Sequence, residues 1–407
     1  MDDLPLASQP PESLRVGGPY RALPALPEIP RARYTDEAFY QAEIKHVFGR
    51  SWLQVGHVSE FEQPGSYRAL DLPLAPVLLV RGSDGVLRAF LNSCRHRGAT
   101  VVRSDQGCAR TLSCPYHSWT YDLSGKLIGY PARHSFPGLV KEDHSLQSLR
   151  CELWGGFVFI NFDPQAQPLA EWMEPMTQRF GVQSEAPLRI VSRQSWTIAC
   201  NWKMAVEAFR ESYHVPTVHP QTAAAALDGY DTFFELYLNG GATIFIPYSK
   251  EIMKQAFSGV SLRASTLERL SGMEDAKYNE TTLLASMFPN AIIGFQPMGF
   301  PLISAWPLSV GSCRLDVVWY GMDWGDAPRP AEWDKVVSDF TTLTGEDVAN
   351  LAAMQRSVEA DPDKGIPVST LECLVYQLHA QIDKAIGPEN IAPRLRVPDV
   401  LEDYLVP

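Results

Sequence analysis

The run Cys94-Arg95-His96, followed further along by Cys114-Pro115-Tyr116-His117, decides what the first half of this chain is built around. Each run pairs one thiol with one imidazole, in the patterns C-x-H and C-x-x-H. Two Cys and two His of this kind suit a [2Fe-2S] cluster in which thiolates hold one iron and imidazoles hold the other. Imidazole brings less negative charge to iron than thiolate, so the reduction potential is higher than that of a four-Cys cluster. The motif therefore predicts redox chemistry.

A structural zinc site is the alternative use of two Cys and two His. Zinc ribbons and fingers usually pair C-x-x-C with C-x-x-C or with two closely spaced His, whereas the first pair here is C-x-H. The flanking residues favour the cluster, because Arg97-Gly98-Ala99 follows the first pair and Ser118-Trp119-Thr120-Tyr121-Asp122 follows the second. We therefore predict a Rieske-type [2Fe-2S] cluster. Its ligands would be Cys94, His96, Cys114 and His117.

Composition excludes several classes of protein. The chain has 407 residues, of which 45% are hydrophobic, enough for two domains with full cores. A net charge of −12 disfavours nucleic acid and anionic membrane surfaces as partners. No segment approaches the ~20 consecutive apolar residues of a spanning helix, and the acidic start Met1-Asp2-Asp3 lacks the features of a signal peptide. The five remaining Cys are widely spaced and are predicted to be free thiols. These features predict a cytoplasmic enzyme.

The pattern along the chain predicts an α+β protein in three parts. Residues 1–33 are Pro-rich and are predicted to form an extended arm. Residues 34–165 begin with a helix that is predicted to run from a cap at Thr35 to about Phe48. Short β-rich runs follow, with a hairpin turn predicted at Ser83-Asp84-Gly85. These runs predict an all-β domain carrying both ligand pairs on loops. Residues 166–407 mix helices with strands, among them strands predicted over residues 242–247 and 314–321. This mixture predicts an antiparallel sheet covered by helices.

A second candidate metal site lies within residues 201–220, where we predict a helix from Asn201 to Tyr213. Glu207, Glu211 and His214 are spaced at i, i+4 and i+7, so they would share one helical face. Pro216 would end the helix and leave His219 free to turn back. Two His and one carboxylate form a facial triad for non-haem Fe(II). The alternative is a helix with surface carboxylates and two ordinary buried histidines.

Both segments resemble the α subunits of Rieske non-haem iron oxygenases, the aromatic-ring-hydroxylating family. CRHRGA and CPYHSWTYDLSGKL resemble the family's cluster motif, and NWK with the following E, YH and H resembles its iron motif. Respiratory Rieske proteins carry two further Cys, which would fall at Ala99 and Tyr116. The resemblance covers residues 34–385 and implies that His214 and His219 bind iron. Two positions depart from it, since Ala208 replaces the usual Asn and Glu211 the usual Asp.

The third iron ligand should be a carboxylate far along the chain, and the candidates are Glu346, Asp347, Asp361 and Asp363. Asp347 would share a buried helical face with Leu351 and Met354, so Glu346 would point away. Asp361 and Asp363 flank a Pro and look like loop residues. The family's E-D pattern also implies Asp347. The alternative is a helical carboxylate that binds no metal.

The resemblance also implies partners and a route for electrons. NAD(P)H would be oxidised by a separate reductase, with or without a ferredoxin, because the chain contains no Gly-rich dinucleotide motif. The α subunits would form a homotrimer, with or without small β subunits, since the two metal sites of one family chain are too far apart. Glu211 would then join His117 of one chain to His214 of its neighbour by hydrogen bonds.

The substrate is the least determined part of the sequence interpretation. Aromatic residues of the second domain would suit an aromatic or alicyclic substrate or would simply pack in the core, and these are Phe233, Phe234, Phe245, Phe288, Phe295 and Trp306. We expect O2-dependent hydroxylation of an aromatic compound. Oxidative O- or N-demethylation, including the quaternary amine type, is the alternative, and a non-catalytic Rieske electron carrier is a more distant one.

Overall fold

A computed structural model describes residues 23–180, 188–249, 281–295 and 299–406. The chain forms two compact units, which we call the small unit (Ile44–Glu171) and the large unit (the described parts of Met1–Glu43 and Trp172–Pro407). Most of the predicted Pro-rich arm lies outside the described residues. The sequence placed domain boundaries at residues 34 and 165, whereas these units divide after residues 43 and 171.

The large unit begins with strand β1 (Ile29–Pro30) and helix α1 (Glu37–Ala42). The predicted cap at Thr35 is wrong: the carboxylate of Asp36 accepts the backbone N–H of Phe39 at 2.9 Å, while Thr35 closes a preceding 3-10 turn. The predicted single helix up to Phe48 is also two elements, because α-helical bonding ends at Ala42 and a π-helical turn follows over Glu43–Phe48.

The small unit is built from short antiparallel strands. These are β2 (Leu53–His57), β3 (Ser66–Asp71), β4 (Pro76–Arg81), β5 (Leu87–Leu91), β6 (Gln106–Cys108), β7 (Leu112–Ser113), β8 (Thr120–Tyr121), β9 (Leu127–Gly129), β10 (Ser148–Trp154) and β11 (Phe157–Asn161). Seven of them form a sheet in the order β2-β11-β10-β5-β4-β3-β6, and β7-β8-β9 form a second sheet. The predicted hairpin turn joins β4 to β5, with Gly85 at φ 78°. The predicted all-β character is confirmed.

The core of the small unit holds the two cluster cysteines. Leu78, Val80 and Phe90 from the larger sheet form one buried cluster with Cys94 and Cys114. Leu112, Tyr121 and Leu127 of the smaller sheet belong to the same cluster, together with Trp119. Packed strands on both sides therefore fix the backbone from which the two ligand loops begin.

The large unit is one antiparallel sheet with helices packed against it. Its strands are β12 (Leu188–Ile198), β13 (Phe233–Tyr237), β14 (Ala242–Pro247), β15 (Thr281–Met287), β16 (Ala291–Phe295), β17 (Gly299–Ser309), β18 (Ser312–Met322), β19 (Gly365–Ile366) and β20 (Leu405–Val406). The sheet order is β12-β18-β17-β16-β15-β14-β13-β20, with only the β13–β20 pair parallel, while β19 pairs with β1. Buried and half-exposed residues alternate along most of β18, as expected for a strand with one covered face. The α+β prediction is confirmed.

The remaining α-helices are α2 (Leu169–Trp172), α3 (Glu174–Phe180), α4 (Trp202–Glu207), α5 (Val215–Val218), α6 (Glu332–Ala360) and α7 (Cys373–Ile386). Helix α6 packs against α4 and β12, and Gln355 of α6 accepts the backbone N–H of Asn201, the N-cap of α4, at 2.9 Å. Helix α7 ends at Gly387, whose φ of 88° only glycine adopts without strain. Among the described residues, no helix is long and apolar enough to cross a membrane.

Candidate metal centres

The two cluster loops of the small unit, which contain Cys94 and Cys114, are closed by the same pattern of backbone hydrogen bonds, called the frame below. In each, the Cys N–H donates to the carbonyl five residues later, and the N–H four residues later donates to the Cys carbonyl. These bonds are Cys94 to Ala99 and Gly98 to Cys94, then Cys114 to Trp119 and Ser118 to Cys114, at 2.8 or 2.9 Å. The residue four positions after each Cys has positive φ, with Gly98 at 74° and Ser118 at 55°. The frames match, although the His lies two residues after Cys in one loop and three in the other.

The frames bring the four predicted ligands together. The Cys94 and Cys114 thiols are buried, and the rings of His96 and His117 lie 4.6 Å apart between centroids. The His96 ring stacks on Trp119 at 5.0 Å with an angle of 8° between the planes. Two thiols and two imidazoles therefore converge from two loops, one between β5 and β6 and the other in the β7–β8 hairpin.

One residue of this centre was not predicted from the sequence. The hydroxyl of Tyr121 lies 3.3 Å from the Cys94 Sγ and accepts the backbone N–H of Arg95 at 3.0 Å. Because that N–H already donates to the Tyr121 oxygen, the hydroxyl proton is free to point at the sulfur. In the sequence, Tyr121 stands out only as part of the SWTY run, and no periodicity marks it as a partner of Cys94.

The residues fit a cluster with mixed thiolate and imidazole ligands. The Nδ1 atom of His96 is buried and has no hydrogen-bond partner among the described residues, which is the condition of an atom reserved for a ligand. Burial, helped by His117 and Arg97, lowers the pKa of His96, so the ring is neutral and able to donate a lone pair. A purely structural histidine would be expected to satisfy that nitrogen within the protein.

In the large unit, the predicted helix from Asn201 to Tyr213 is wrong. Helix α4 ends at Glu207, and the chain turns before the short helix α5, which begins directly after His214 and includes Pro216. Arg210 explains the break, because its buried guanidinium donates to the Leu374 carbonyl at 3.0 Å and to the Gln377 side chain at 2.7 Å. These bonds to α7 draw the backbone away from helical geometry, so tertiary contacts override local propensity.

The structure nevertheless assembles a cluster of two histidines and one carboxylate. The Asp347 Oδ1 lies 2.9 Å from the His219 Nε2 and 3.4 Å from the His214 Nε2. One ligand atom from each of the three residues lies within 4.8 Å of the others, and both His219 and Asp347 are buried. Asp347 and Leu351 of α6 are both buried, as the spacing predicted, whereas Met354, which was predicted to share their face, is 48% exposed. Asp361 instead pairs with Lys364 at 2.7 Å.

Each of the two histidines has a further carboxylate on its other nitrogen. Glu211 contacts the His214 Nδ1 and accepts the His214 backbone N–H at 3.1 Å. Glu346 lies 2.6 Å from the His219 Nδ1 and accepts the Thr222 hydroxyl at 2.7 Å. The expectation that Glu346 points away from the site is wrong, because the His219 ring lies between the two consecutive carboxylates of α6.

Electrostatics of this cluster favour a cation. Burial opposes a charged ring at His214, but the hydrogen bonds to Asp347 and Glu211 outweigh it and raise the pKa of His214 to about 10. Hydrogen bonds from His219 and Thr222 lower the pKa of Glu346. Without metal, the carboxylates therefore favour the protonated form of His214, and a divalent cation would take the place of that proton. Neutral His nitrogens with one carboxylate are the donor set of a non-haem Fe(II) site.

Glu207 does not join this cluster, so the prediction that it shares a helical face with Glu211 and His214 is wrong. Its carboxylate accepts the Tyr34 hydroxyl at 3.0 Å and lies 2.8 Å from the His379 Nε2. Arg33 Nε donates to the His379 Nδ1 at 2.8 Å, so the Nε2 carries the proton that Glu207 accepts. Burial raises the pKa of Glu207 to about 7. This network ties residues 33 and 34 to helices α4 and α7.

The aromatic residues named as pocket candidates are largely core residues. Phe245, Phe288 and Trp306 are buried, and the half-buried Phe233 stacks on Phe245 at 4.7 Å across the β13–β14 pair. The side chain of Phe295 lies outside the described residues. Packing therefore accounts for at least three of the six.

Two family models match the chain. The Rieske [2Fe-2S] domain matches residues 51–149, and the ring hydroxylating alpha subunit (catalytic domain) matches residues 186–387. Together they cover about three quarters of the chain, and each contains the metal centre described above for its part.

Relatives with assigned names are α subunits of dioxygenases. Chlorobenzene dioxygenase subunit alpha of Cupriavidus sp. (strain PS12) is 42% identical over 193 residues, which are 45% of this chain and 42% of the relative. Biphenyl 2,3-dioxygenase subunit alpha of Rhodococcus jostii (strain RHA1) is 40% identical over 49% of this chain and 45% of the relative. The chain thus spans less than half the length of these two relatives. A 2-aminobenzenesulfonate 2,3-dioxygenase subunit alpha of Alcaligenes sp. is 27% identical over 78% of this chain and 80% of its own length.

Solved structures share the fold. Naphthalene 1,2-dioxygenase from Rhodococcus sp. bound to indole has a TM-score of 0.74 at 21% identity, covering 89% of this chain and 95% of that one. The quaternary ammonium Rieske monooxygenase CntA with L-carnitine has a TM-score of 0.71 at 23% identity, covering 87% of this chain and 95% of that one.

Proposed function

Since this chain belongs to the Rieske non-haem iron oxygenases, with the catalytic domain of their α subunits, we propose that it is a terminal oxygenase that hydroxylates an aromatic compound. It would use O2 and electrons from NAD(P)H, delivered by a separate reductase with or without a ferredoxin. The observation that carries this proposal is the presence in one chain of two centres, the Cys/His loops and the His/His/Asp cluster. An electron carrier would need only the first.

We assign the residues as follows. Cys94, His96, Cys114 and His117 hold the [2Fe-2S] cluster, and His214, His219 and Asp347 hold mononuclear Fe(II). When bound, the cluster supplies single electrons and the iron supplies the site at which O2 reacts. The protein's own part is to orient the ligand nitrogens, keep Asp347 buried and hold the substrate. The division into an arm, a Rieske domain and a catalytic domain remains part of the same proposal.

Aromatic hydroxylation is favoured over demethylation by the relatives. Those that are 39 to 42% identical are named for chlorobenzene, biphenyl or benzene dioxygenation. The quaternary ammonium monooxygenase is similar in fold at 23% identity. Demethylation stays the second candidate because Glu211 stands where the family commonly has Asp, as in some members that act on quaternary amines.

We also propose a homotrimer in which Glu211 joins two centres, with or without small β subunits. One Glu211 oxygen contacts the His214 Nδ1, and the other accepts only the His214 backbone N–H among the described contacts. In the proposed trimer, that second oxygen would accept a hydrogen bond from His117 of a neighbouring chain. A carboxylate between two metal-bound imidazoles would fix both rings and shorten the electron path.

Iron counting and product analysis test the proposal. Anaerobically purified protein should contain three irons per chain, whereas a carrier would contain two and a zinc protein none. NADH-coupled O2 uptake with a generic reductase should then be stimulated by benzene-type or biphenyl-type substrates, with a hydroxylated arene as product. Formaldehyde from a methylated amine or ether would favour demethylation instead, and O2 uptake without any oxygenated product would contradict both.

A further inference from the structure

Glu346 is a candidate iron ligand by sequence that the helical spacing predicted to point away, yet it contacts the candidate iron site. Its Oε2 lies 2.6 Å from the His219 Nδ1 and 2.7 Å from the Thr222 hydroxyl. The Glu346 side chain is 30% exposed, whereas the His219 side chain is 2% exposed. The contact therefore joins a helix residue at the edge of solvent to the buried interior of the candidate iron site.

We propose that Glu346 is a positioning residue that sets the tautomer and orientation of His219 for metal binding. The proposal rests on the proposed function in one respect, namely that His219 binds the iron. It goes beyond that function because it names the carboxylate that orients the His219 ring, which lies 127 residues further along the chain.

The position of the proton on the His219 ring decides which nitrogen can bind a metal. A neutral imidazole carries one N–H and one lone pair, and only the lone pair can bind a metal. Because the Glu346 carboxylate can only accept, the His219 Nδ1 must be the nitrogen that carries the proton. The Nε2 lies 2.9 Å from the Asp347 carboxylate, so it shares a proton with Asp347 without metal and offers its lone pair once a metal takes the place of that proton.

Helix geometry explains why consecutive residues can hold both ends of one ring. Neighbouring side chains on an α-helix diverge by about 100° around the axis. Asp347 therefore reaches the Nε2 side of the His219 ring while Glu346 reaches the Nδ1 side. The His219 ring cannot rotate about its Cβ–Cγ bond without losing one of these two contacts.

Thr222 fixes the carboxylate in turn. Its hydroxyl donates to the same Glu346 oxygen, and its backbone N–H donates to the His219 carbonyl at 3.2 Å. The turn that follows His219 thus anchors the group that orients the His219 ring. Outer partners of this kind typically change metal affinity by about 10- to 100-fold when removed.

The test measures metal binding rather than turnover. Full-length protein with its Rieske cluster intact is freed of mononuclear iron and titrated anaerobically with Co²⁺, whose visible absorption reports binding and geometry. Glu346→Ala should weaken Co²⁺ binding about 10- to 100-fold and alter the visible band. Glu346→Gln keeps an acceptor oxygen without charge and should weaken binding less. Thr222→Val should produce a smaller loss than Glu346→Ala.

Two controls separate positioning from other effects. Asp339→Asn removes an exposed carboxylate of the same helix, which pairs with Lys335 at 2.6 Å, and should leave Co²⁺ affinity unchanged. Asp347→Ala should abolish tight binding. If Asp347→Ala bound Co²⁺ as the unmodified protein does, the iron site of the proposed function would be wrong rather than the role of Glu346.

Affinity within about twofold in Glu346→Ala, together with loss in Asp347→Ala, would overturn the proposal. If circular dichroism shows that the Glu346→Ala protein is unfolded, Glu346→Gln and Thr222→Val test the positioning role instead. Unchanged affinity and an unchanged Co²⁺ spectrum in both of those variants would equally reject a positioning role.

Discussion

The cluster loops of the small unit and the His214/His219/Asp347 triad of the large unit hold their proposed metal ligands in position in different ways. Each cluster loop is closed by two backbone hydrogen bonds, and its Cys is part of the packed core. The triad draws on a turn after α4 and on helix α6, and carboxylates hold its rings through their side chains. Ligand geometry therefore depends on the backbone in one centre and on side-chain partners in the other.

The largest effect should follow from removing a triad ligand. His214→Ala, His219→Ala and Asp347→Ala each delete one of three donor groups, so mononuclear iron should be lost and turnover should fall by more than about 100-fold. The cluster spectrum should persist, since its ligands belong to the other unit. Metal analysis together with visible and EPR spectra checks this, and an Asp347→Ala protein with full iron and activity would refute the ligand assignment.

The reciprocal substitution tests whether the centres form independently. Cys114→Ala removes a buried cluster ligand and should abolish the red-brown colour and the Rieske EPR signal. Co²⁺ affinity at the triad should stay within about twofold of that of the unmodified protein. A large loss of Co²⁺ binding would show that the two centres depend on each other.

Glu211→Gln should separate metal binding from electron transfer. The amide keeps the size of the side chain but removes its charge, so both metals should remain and the cluster should still be reduced by dithionite. Cluster reoxidation in a single turnover with substrate and O2 should slow by about tenfold or more. Unchanged reoxidation, or an active enzyme that is strictly monomeric, would contradict the bridging role.

Tyr121→Phe should shift the cluster without removing it. The hydroxyl lies 3.3 Å from the Cys94 Sγ, and a hydrogen bond to a ligand sulfur stabilises the reduced, more negative cluster. A hydrogen bond worth about 1 kcal/mol corresponds to roughly 40 mV for one electron, so the reduction potential should fall by about that amount. Protein-film voltammetry measures it, and an unchanged potential would mean that the proton points elsewhere.

The smallest effect should come from substitutions at the two positive-φ positions of the cluster loops, which change the thermal stability of the loops. Ser118 has a φ of 55°, a conformation that costs a residue with a side chain about 1 kcal/mol relative to glycine. Ser118→Gly should therefore stabilise the second loop slightly, while Gly98→Ala at φ 74° should destabilise the first. Thermal bleaching of the cluster compares them, and shifts of the same sign would show that backbone strain does not set loop stability.

The same contrast explains what the sequence could and could not predict. The four proposed cluster ligands lie within short local motifs, so spacing and flanking residues were enough to name residues that the two loops bring together. Strands such as β14 and β18 were also predicted from their composition. Glu346 and Tyr121 were missed because their partners lie on other elements, and a helical period says nothing about a ring from elsewhere. The helix predicted through Tyr213 failed for the same reason, since Arg210 bonds to α7.

Helix α6 gives the iron site a mechanical property. Helix α6 has 29 residues, of which Glu346 and Asp347 contact the two nitrogens of the His219 ring. Further along it, Gln355 accepts the backbone N–H of Asn201 at the start of α4. An α-helix resists stretching and bends only gently over such a length. The spacing between these three attachment points is therefore set by one stiff rod, so thermal motion should move the site as a unit rather than loosen the ligands one at a time.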